Sequence, residues 1–133
     1  LDMTGVERID TVGAWLIHRF AKQHGMACYG HTLIWYHAPH WVQKMTAPKP
    51  LLAAMRTHIE TTMRRYAREI DIWDVVNEPL EYDKPVLRDS VFQRVLGRDH
   101  IAHSFRMAHA ARPNARLILN ETHLEKAGPV YSA

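Results

Sequence analysis

Pro79 stops an apolar, β-branched run, Ile72-Trp73-Asp74-Val75-Val76-Asn77-Glu78, which is too short for a helix and reads as a buried strand ending in a carboxyl group. In parallel α/β folds the reacting groups sit where strands run out, because the loops there vary while the strands hold them rigidly. Glu78 stands at such a place, and Asn77 beside it supplies a neutral hydrogen-bonding partner. An Asn-Glu pair at a strand end can equally well do no more than cap a turn. The rest of the chain decides between the two.

Two similar runs flank this one. Met26 to Tyr36 is apolar without helical period and is closed by the polar, proline-bearing stretch from His37 to Pro50, so it reads as an earlier strand. Ala115 to Glu121 reads as a later one. Helical patterns separate them. Thr4-Gly5-Val6-Glu7 is a capping box, so a helix is expected from about residue 5, with Val6, Ile9, Val12, Gly13, Leu16, Ile17 and Phe20 on one core face and Gly25 as its stop. A second helix is expected from about Leu51 to Glu69, carried by Leu52, Met55, Ile59, Met63, Tyr66 and Ala67. After a turn-like stretch to Ser90, Val91 to Leu96 reads as a short helix stopped by Gly97. Asp99 then reads as the N-cap of a helix from about Ile101 to Ala111. Residues 122–133 show no periodicity.

Alternation of helix and strand implies right-handed crossovers and a parallel sheet covered by helices. His31, Glu78 and Glu121 mark the three strand ends, roughly 45 residues apart, a repeat typical of βα units. Three such units make either an open sheet or a slice of an eight-stranded barrel, which needs about 250 residues. The ragged ends favour the slice, so residues 1–133 are expected to be one incomplete piece of a single barrel domain.

Composition narrows the function. The 17 basic and 14 acidic residues are spread along the chain without a basic stripe interleaved with aromatics, which argues against nucleic-acid binding. No run is long enough to span a membrane, and the N-terminus lacks a signal-peptide pattern. The one cysteine, Cys28, excludes an internal disulfide. His31, His37 and His40 match no usual zinc spacing, and no cysteine or carboxyl group completes a set, so no metal is expected.

Gly30-His31-Thr32-Leu33-Ile34-Trp35, Trp73 to Pro79 and Ala115 to Glu121 together resemble three successive strands, about the third to fifth, of the (β/α)8 barrel of glycoside hydrolase family 10 xylanases. Leu87-Arg88-Asp89-Ser90 and Ser104-Phe105-Arg106-Met107-Ala108 are similar to family segments too. This resemblance implies a retaining endo-1,4-β-xylanase acting on xylan without a cofactor. It carries the general acid/base onto Glu78 and the partner of the sugar 2-hydroxyl onto Asn77. His31 and Trp35 fall on residues lining the sugar subsite at the cleavage point, and period two puts them on one face of their strand. Without the resemblance, a lone His and Trp in an apolar strand are more often core. Asp74 matches a family position and on parity faces the Glu78 side, where an inward carboxyl group must be hydrogen-bonded. Both chemical roles make physical sense, since a retaining glycosidase needs one carboxyl group that is protonated when the glycosidic oxygen leaves and ionised when water attacks. By family analogy the enzyme is expected to be secreted or periplasmic.

The departures are also specific. Where the family usually continues Trp-His-Ser-Gln this chain has Trp35-Tyr36-His37-Ala38, and where it commonly has Asn-Asp-Tyr-Asn this chain has Asn120-Glu121-Thr122-His123. A sugar-contacting His and Gln and a stacking aromatic are thereby replaced. The family's nucleophile, a Glu on the seventh strand, has no counterpart in the chain. Two other readings stay open: a carbohydrate-binding barrel without turnover, and another retaining barrel glycosidase such as an endoglucanase.

Overall fold

Parallel strands are normally covered on both faces, and Trp73 to Asn77 are all buried, including Asp74 and Asn77. In a computed structural model that describes residues 11–82 and 84–122, the elements in order are α1 (Thr11–Gln23), β1 (Tyr29–Gly30), β2 (Ile34–Trp35), α2 (His40–Gln43), α3 (Pro48–Arg65), β3 (Ile72–Asn77), α4 (Val91–Leu96), α5 (Asp99–Ala111) and β4 (Arg116–Asn120). All strand pairings within the sheet are parallel and all involve β3. A strand has two edges. Since β4 runs along β3 from Ile72 to Asn77, β1 and β2 must share the other edge as two pieces of one interrupted strand.

The interruption has a geometric cause. Tyr29 pairs with Ile72 and Gly30 with Trp73, but Ile34 pairs with Val76 and Trp35 with Asn77, so the β1–β2 side holds one extra residue. This bulge contains His31 and a cis His31–Thr32 peptide. Its donors converge on one carbonyl, with Leu33 N–H at 2.9 Å and the Thr32 hydroxyl at 3.2 Å from Asp74 O. A second register shift lies between Asp74 and Val76 on the β4 side. Strict alternation is thus broken along both edges of β3, so the side each residue takes is set by the bulges as well as by period two.

The core lies between the sheet and α3 to α5. On α3, Leu51, Met55, Ile59 and Met63 recur at four-residue steps and are all buried. This helix begins three residues before the expected start, since Pro48 in its first turn gives up no hydrogen bond there. It ends at Arg65 and not Glu69. The turn into β3 is tied by Arg112, which donates to Ala67 O at 2.6 Å, Ile70 O at 3.2 Å and Asp71 Oδ1 at 2.8 Å. Ser90 caps α4 by accepting from Gln93 N–H. Asp99 lies inside the first turn of α5, whose N-cap is Arg98, so it favours the helix dipole instead of capping.

The expected core face of α1 is not a core in this structure. Leu16 and Phe20 are 53% and 40% exposed, and Trp15 is exposed beside them, because no described element packs over that side. Val6, Ile9 and the Thr4–Glu7 capping box lie outside the described residues, as does the aperiodic stretch after Thr122. Among the described residues no helix is long and apolar enough to cross a membrane.

At Gly30 the backbone of β1 lies close against the Trp73 ring of β3. A Cβ there would fall inside the van der Waals envelope of the Trp73 ring, a rigid neighbour within buried β3. Gly30→Ala is therefore expected to lower stability by about 1–3 kcal/mol through overpacking. Chemical denaturation of the complete protein checks this, as a midpoint shift at unchanged slope.

Candidate active site

At the C-terminal end of β3 the strand stops in an unusual backbone conformation. Glu78 has φ of 48°, in the left-handed region that costs a non-glycine residue about 1–3 kcal/mol. Strain of this size persists only where surrounding contacts over-determine it. Here Glu78 N–H donates to Asn120 O at 2.8 Å, the Arg88 guanidinium Nε donates to Glu78 O at 3.2 Å, and the Trp35 indole N–H donates to Glu78 Oε2 at 3.1 Å. Both backbone polar groups and one carboxyl oxygen are thus fixed.

Four residues back along the strand is a second carboxyl group in different surroundings. Asp74 is almost fully buried, and both its oxygens are engaged: Tyr29 O–H donates to Oδ1, and His31 Nδ1 lies 2.8 Å from Oδ2. Partial desolvation pushes the Tyr29 phenol up to about 12, helped by its bond to Asp74 and the charge there, so the tyrosine remains a donor. The contact with Asp74 places the His31 proton on Nδ1 and leaves Nε2 as the free end of a half-exposed ring. His31 and Trp35 stand 6.4 Å apart, centroid to centroid. Asp74, His31, Trp35 and Glu78 therefore form one continuous wall, assembled from the bulged strand and the end of β3.

Asn77 is buried between these two carboxyl groups in sequence, and Asn120 Nδ2 donates to its Oδ1 at 2.6 Å. The oxygen end of the Asn77 amide is thereby committed, and the NH2 end is the one that remains to donate to a ligand. Glu121, at the end of β4, accepts Leu80 N–H at Oε2 and Thr122 N–H at Oε1, so its carboxyl group is occupied with backbone. The five residues singled out from sequence are thus brought together. Sequence reasoning missed Tyr29, Arg88 and Asn120 as their supports. Tyr29 was detectable in principle, two residues before His31 on the same apolar run. Arg88, ten residues beyond Glu78 in a turn-like stretch, carries no sequence signal for its role.

Asn77, Glu78, Arg88 and His100 line one small recess. A larger, apolar recess of about 260 Å³ lies among β2, α2 and α3, lined by Trp41, Val42, Met55 and Phe92, and no carboxyl group lines it. Only the smaller recess is lined by a carboxyl group, and Trp35 lines both. Among the described residues no three His, Cys, Asp or Glu side chains are grouped to hold a metal ion.

His100, which lines the smaller recess, is buried. Burial holds its imidazole below the usual histidine value, while a 2.8 Å hydrogen bond from Nδ1 to Gly97 O pulls more weakly the other way. With the folded pKa depressed, the unfolded chain takes up the proton first, so the stability His100 allows above about pH 6.5 is lost as pH falls towards its native value. Melting temperature should therefore decline more steeply below pH 6.5 in the wild-type complete protein than in His100→Gln. Equal slopes would remove His100 from the account.

Comparison with known proteins places the chain in a family. The family model described as Glycosyl hydrolase family 10 matches residues 7–131. Endo-1,4-beta-xylanase 3 of Hypocrea jecorina is 43% identical over 109 residues, 81% of this chain and 31% of that protein. Endo-1,4-beta-xylanase B of Paenibacillus barcinonensis is 38% identical over 110 residues, 77% of this chain and 33% of its own length. Among solved structures, the intracellular xylanase of Thermoanaerobacterium saccharolyticum superposes with a TM-score of 0.82 at 31% identity, over 95% of this chain and 43% of that one. A family 10 endoxylanase from a sugarcane soil metagenome superposes with a TM-score of 0.80 at 34% identity, over 94% and 38%. The chain spans about a third of the length of the curated relatives it matches, and its parallel sheet is a part of their barrel.

Proposed function

The chain belongs to glycosyl hydrolase family 10, and on that premise we propose that it carries the acid/base side of the catalytic centre of a retaining endo-1,4-β-xylanase, as an internal piece of one catalytic barrel. Glu78 is the general acid/base. The observation that carries this reading is the conformation of Glu78, a carboxyl group held on strained backbone at a strand end by Trp35, Asn120 and Arg88. In the first step it protonates the departing glycosidic oxygen, and in the second it takes the proton of the attacking water.

His31, Trp35 and Asn77 bind the sugar at the cleavage point. His31 presents Nε2, and Asn77 presents its NH2 end to the 2-hydroxyl, a contact that strengthens as the oxocarbenium-like transition state forms. Asp74 supports the site by fixing His31. The nucleophile comes from outside this chain. A retaining partner must lie about 5–5.5 Å from the acid/base across the sugar, whereas Asp74, four residues back, is about 13 Å away at strand rise and has both oxygens bound. Glu121, with both oxygens on backbone amides, is no better placed. Two carboxyl groups and water suffice for the reaction, so no cofactor enters it. A β-1,4-linked polymer as substrate favours a secreted or periplasmic enzyme, although one solved relative is described as intracellular.

Proton NMR of xylan hydrolysis by the complete protein tests the proposal. The β-anomer should appear first and mutarotate later. An α-anomer at early times would exclude retention. Binding of xylo-oligosaccharides without turnover would favour the non-hydrolytic reading that the replacements at Tyr36, Ala38 and Thr122 leave open.

A further inference from the structure

The loop after β3 reverses sharply, and its reversal is organised by one residue. Three successive carbonyls, those of Glu78, Pro79 and Leu80, all accept from Arg88: Nε reaches Glu78 O at 3.2 Å, its backbone N–H reaches Pro79 O at 2.7 Å, and Nη2 reaches Leu80 O at 2.7 Å. The guanidinium carbon also lies over two aromatic rings, 4.4 Å from the centroid of Tyr36 and 4.3 Å from that of Tyr82. Only a planar cation can do both, stacking through its faces while its in-plane N–H groups bond. The Arg88 side chain is 11% exposed, and its nearest acidic partner, Glu81, stands off at 3.8 Å. Its interactions are therefore mainly with carbonyls and rings.

We propose that Arg88 is a positioning residue for Glu78: by taking the Glu78, Pro79 and Leu80 carbonyls while stacked on Tyr36 and Tyr82, it holds Glu78 in the left-handed conformation that directs its carboxyl group to Trp35. This deepens the acid/base reading of Glu78 and rests on it. Tyr36 is one of the positions where the chain departs from the usual family sequence, so the clamp uses a residue in which this protein differs. Burial and a hydrogen bond to Tyr82 push the Tyr36 phenol up, which keeps the Tyr36 ring neutral beside the cation. Arg112 offers an internal comparison. It takes two carbonyls in the turn at the opposite end of β3 and touches nothing in the site.

The test measures kcat/KM of the complete protein on aryl xylobiosides whose leaving groups range from dinitrophenol to unsubstituted phenol. In Arg88→Ala a misaimed acid should cost about 10- to 100-fold with phenol as leaving group and less than about threefold with dinitrophenol, which needs no proton. In a Glu78→Ala background the same change should cost nothing further, because the residue through which Arg88 acts is gone. Arg112→Ala should lower the melting temperature without altering the leaving-group dependence. Equal losses on all leaving groups in Arg88→Ala, or losses that add to those of Glu78→Ala, would overturn the positioning role while leaving Glu78 as the acid. If Glu78→Ala itself shows no leaving-group dependence, the acid/base reading falls and Arg88 with it. Should Arg88→Ala fail to fold, Tyr82→Leu, at an exposed position, removes one ring of the stack. It must then show the same selective loss at smaller size, and an unselective loss would overturn the role.

Discussion

Replacing Glu78 by Gln in the complete enzyme is expected to lower kcat/KM on xylan by about 10²- to 10⁴-fold, the usual contribution of a positioned general acid. Hydrolysis of a dinitrophenyl xylobioside should fall by less than about tenfold at the bond-cleavage step, because that leaving group departs without a proton. Fold and stability should change little. The Gln side chain still offers an oxygen to the Trp35 indole N–H, and the contacts of Glu78 N–H and O with Asn120 and Arg88 belong to the backbone. A matching loss on both substrates, at an unchanged melting temperature, would mean that Glu78 binds sugar and does not transfer the proton.

Asp74→Asn is the second informative substitution, since it keeps shape and changes only donors. Tyr29 must donate, so the new amide has to turn its oxygen to Tyr29 and its NH2 to His31 Nδ1. That Nδ1 must then accept, which moves the ring proton to Nε2 and reverses what His31 presents to the sugar. Activity should drop about 10- to 100-fold, the size of one charge-assisted or reversed hydrogen bond in a closed site. The unfolding midpoint should move less than in Asp74→Ala, which leaves the Tyr29 hydroxyl and the His31 ring without their shared partner. Loss of activity in Asp74→Ala with full activity in Asp74→Asn would show that Asp74 supports packing and not the histidine tautomer.

Several features could be read from residues alone because they depend on local physics. The mostly apolar run before Pro79 reads as a short buried strand, the four-residue recurrence of Met55, Ile59 and Met63 puts them on one helix face, and Gly97 marks the end of α4. Alternation of these elements sufficed for a parallel sheet, and the motifs around His31 and Asn77-Glu78 sufficed to pick out the residues that now stand together. Where the reading went astray, a non-local partner was decisive. Periodicity puts Leu16 and Phe20 on one side of α1, but it says which residues share a side and not whether anything lies opposite. Two bulges that no composition marks break the strict alternation along the strands, yet His31, Trp35, Asp74 and Glu78 still line one wall. The site's supports are tertiary for the same reason: Tyr29 meets Asp74 from 45 residues away, Asn120 meets Asn77 from 43, and Arg88 reaches the Glu78 carbonyl only because the loop folds back. Sequence by itself determined which side chains are available at the end of β3. The left-handed turn at Glu78, and the direction its carboxyl group takes, were decided by hydrogen bonds from three other segments, whose combined hold offsets a strain that the local sequence would relax.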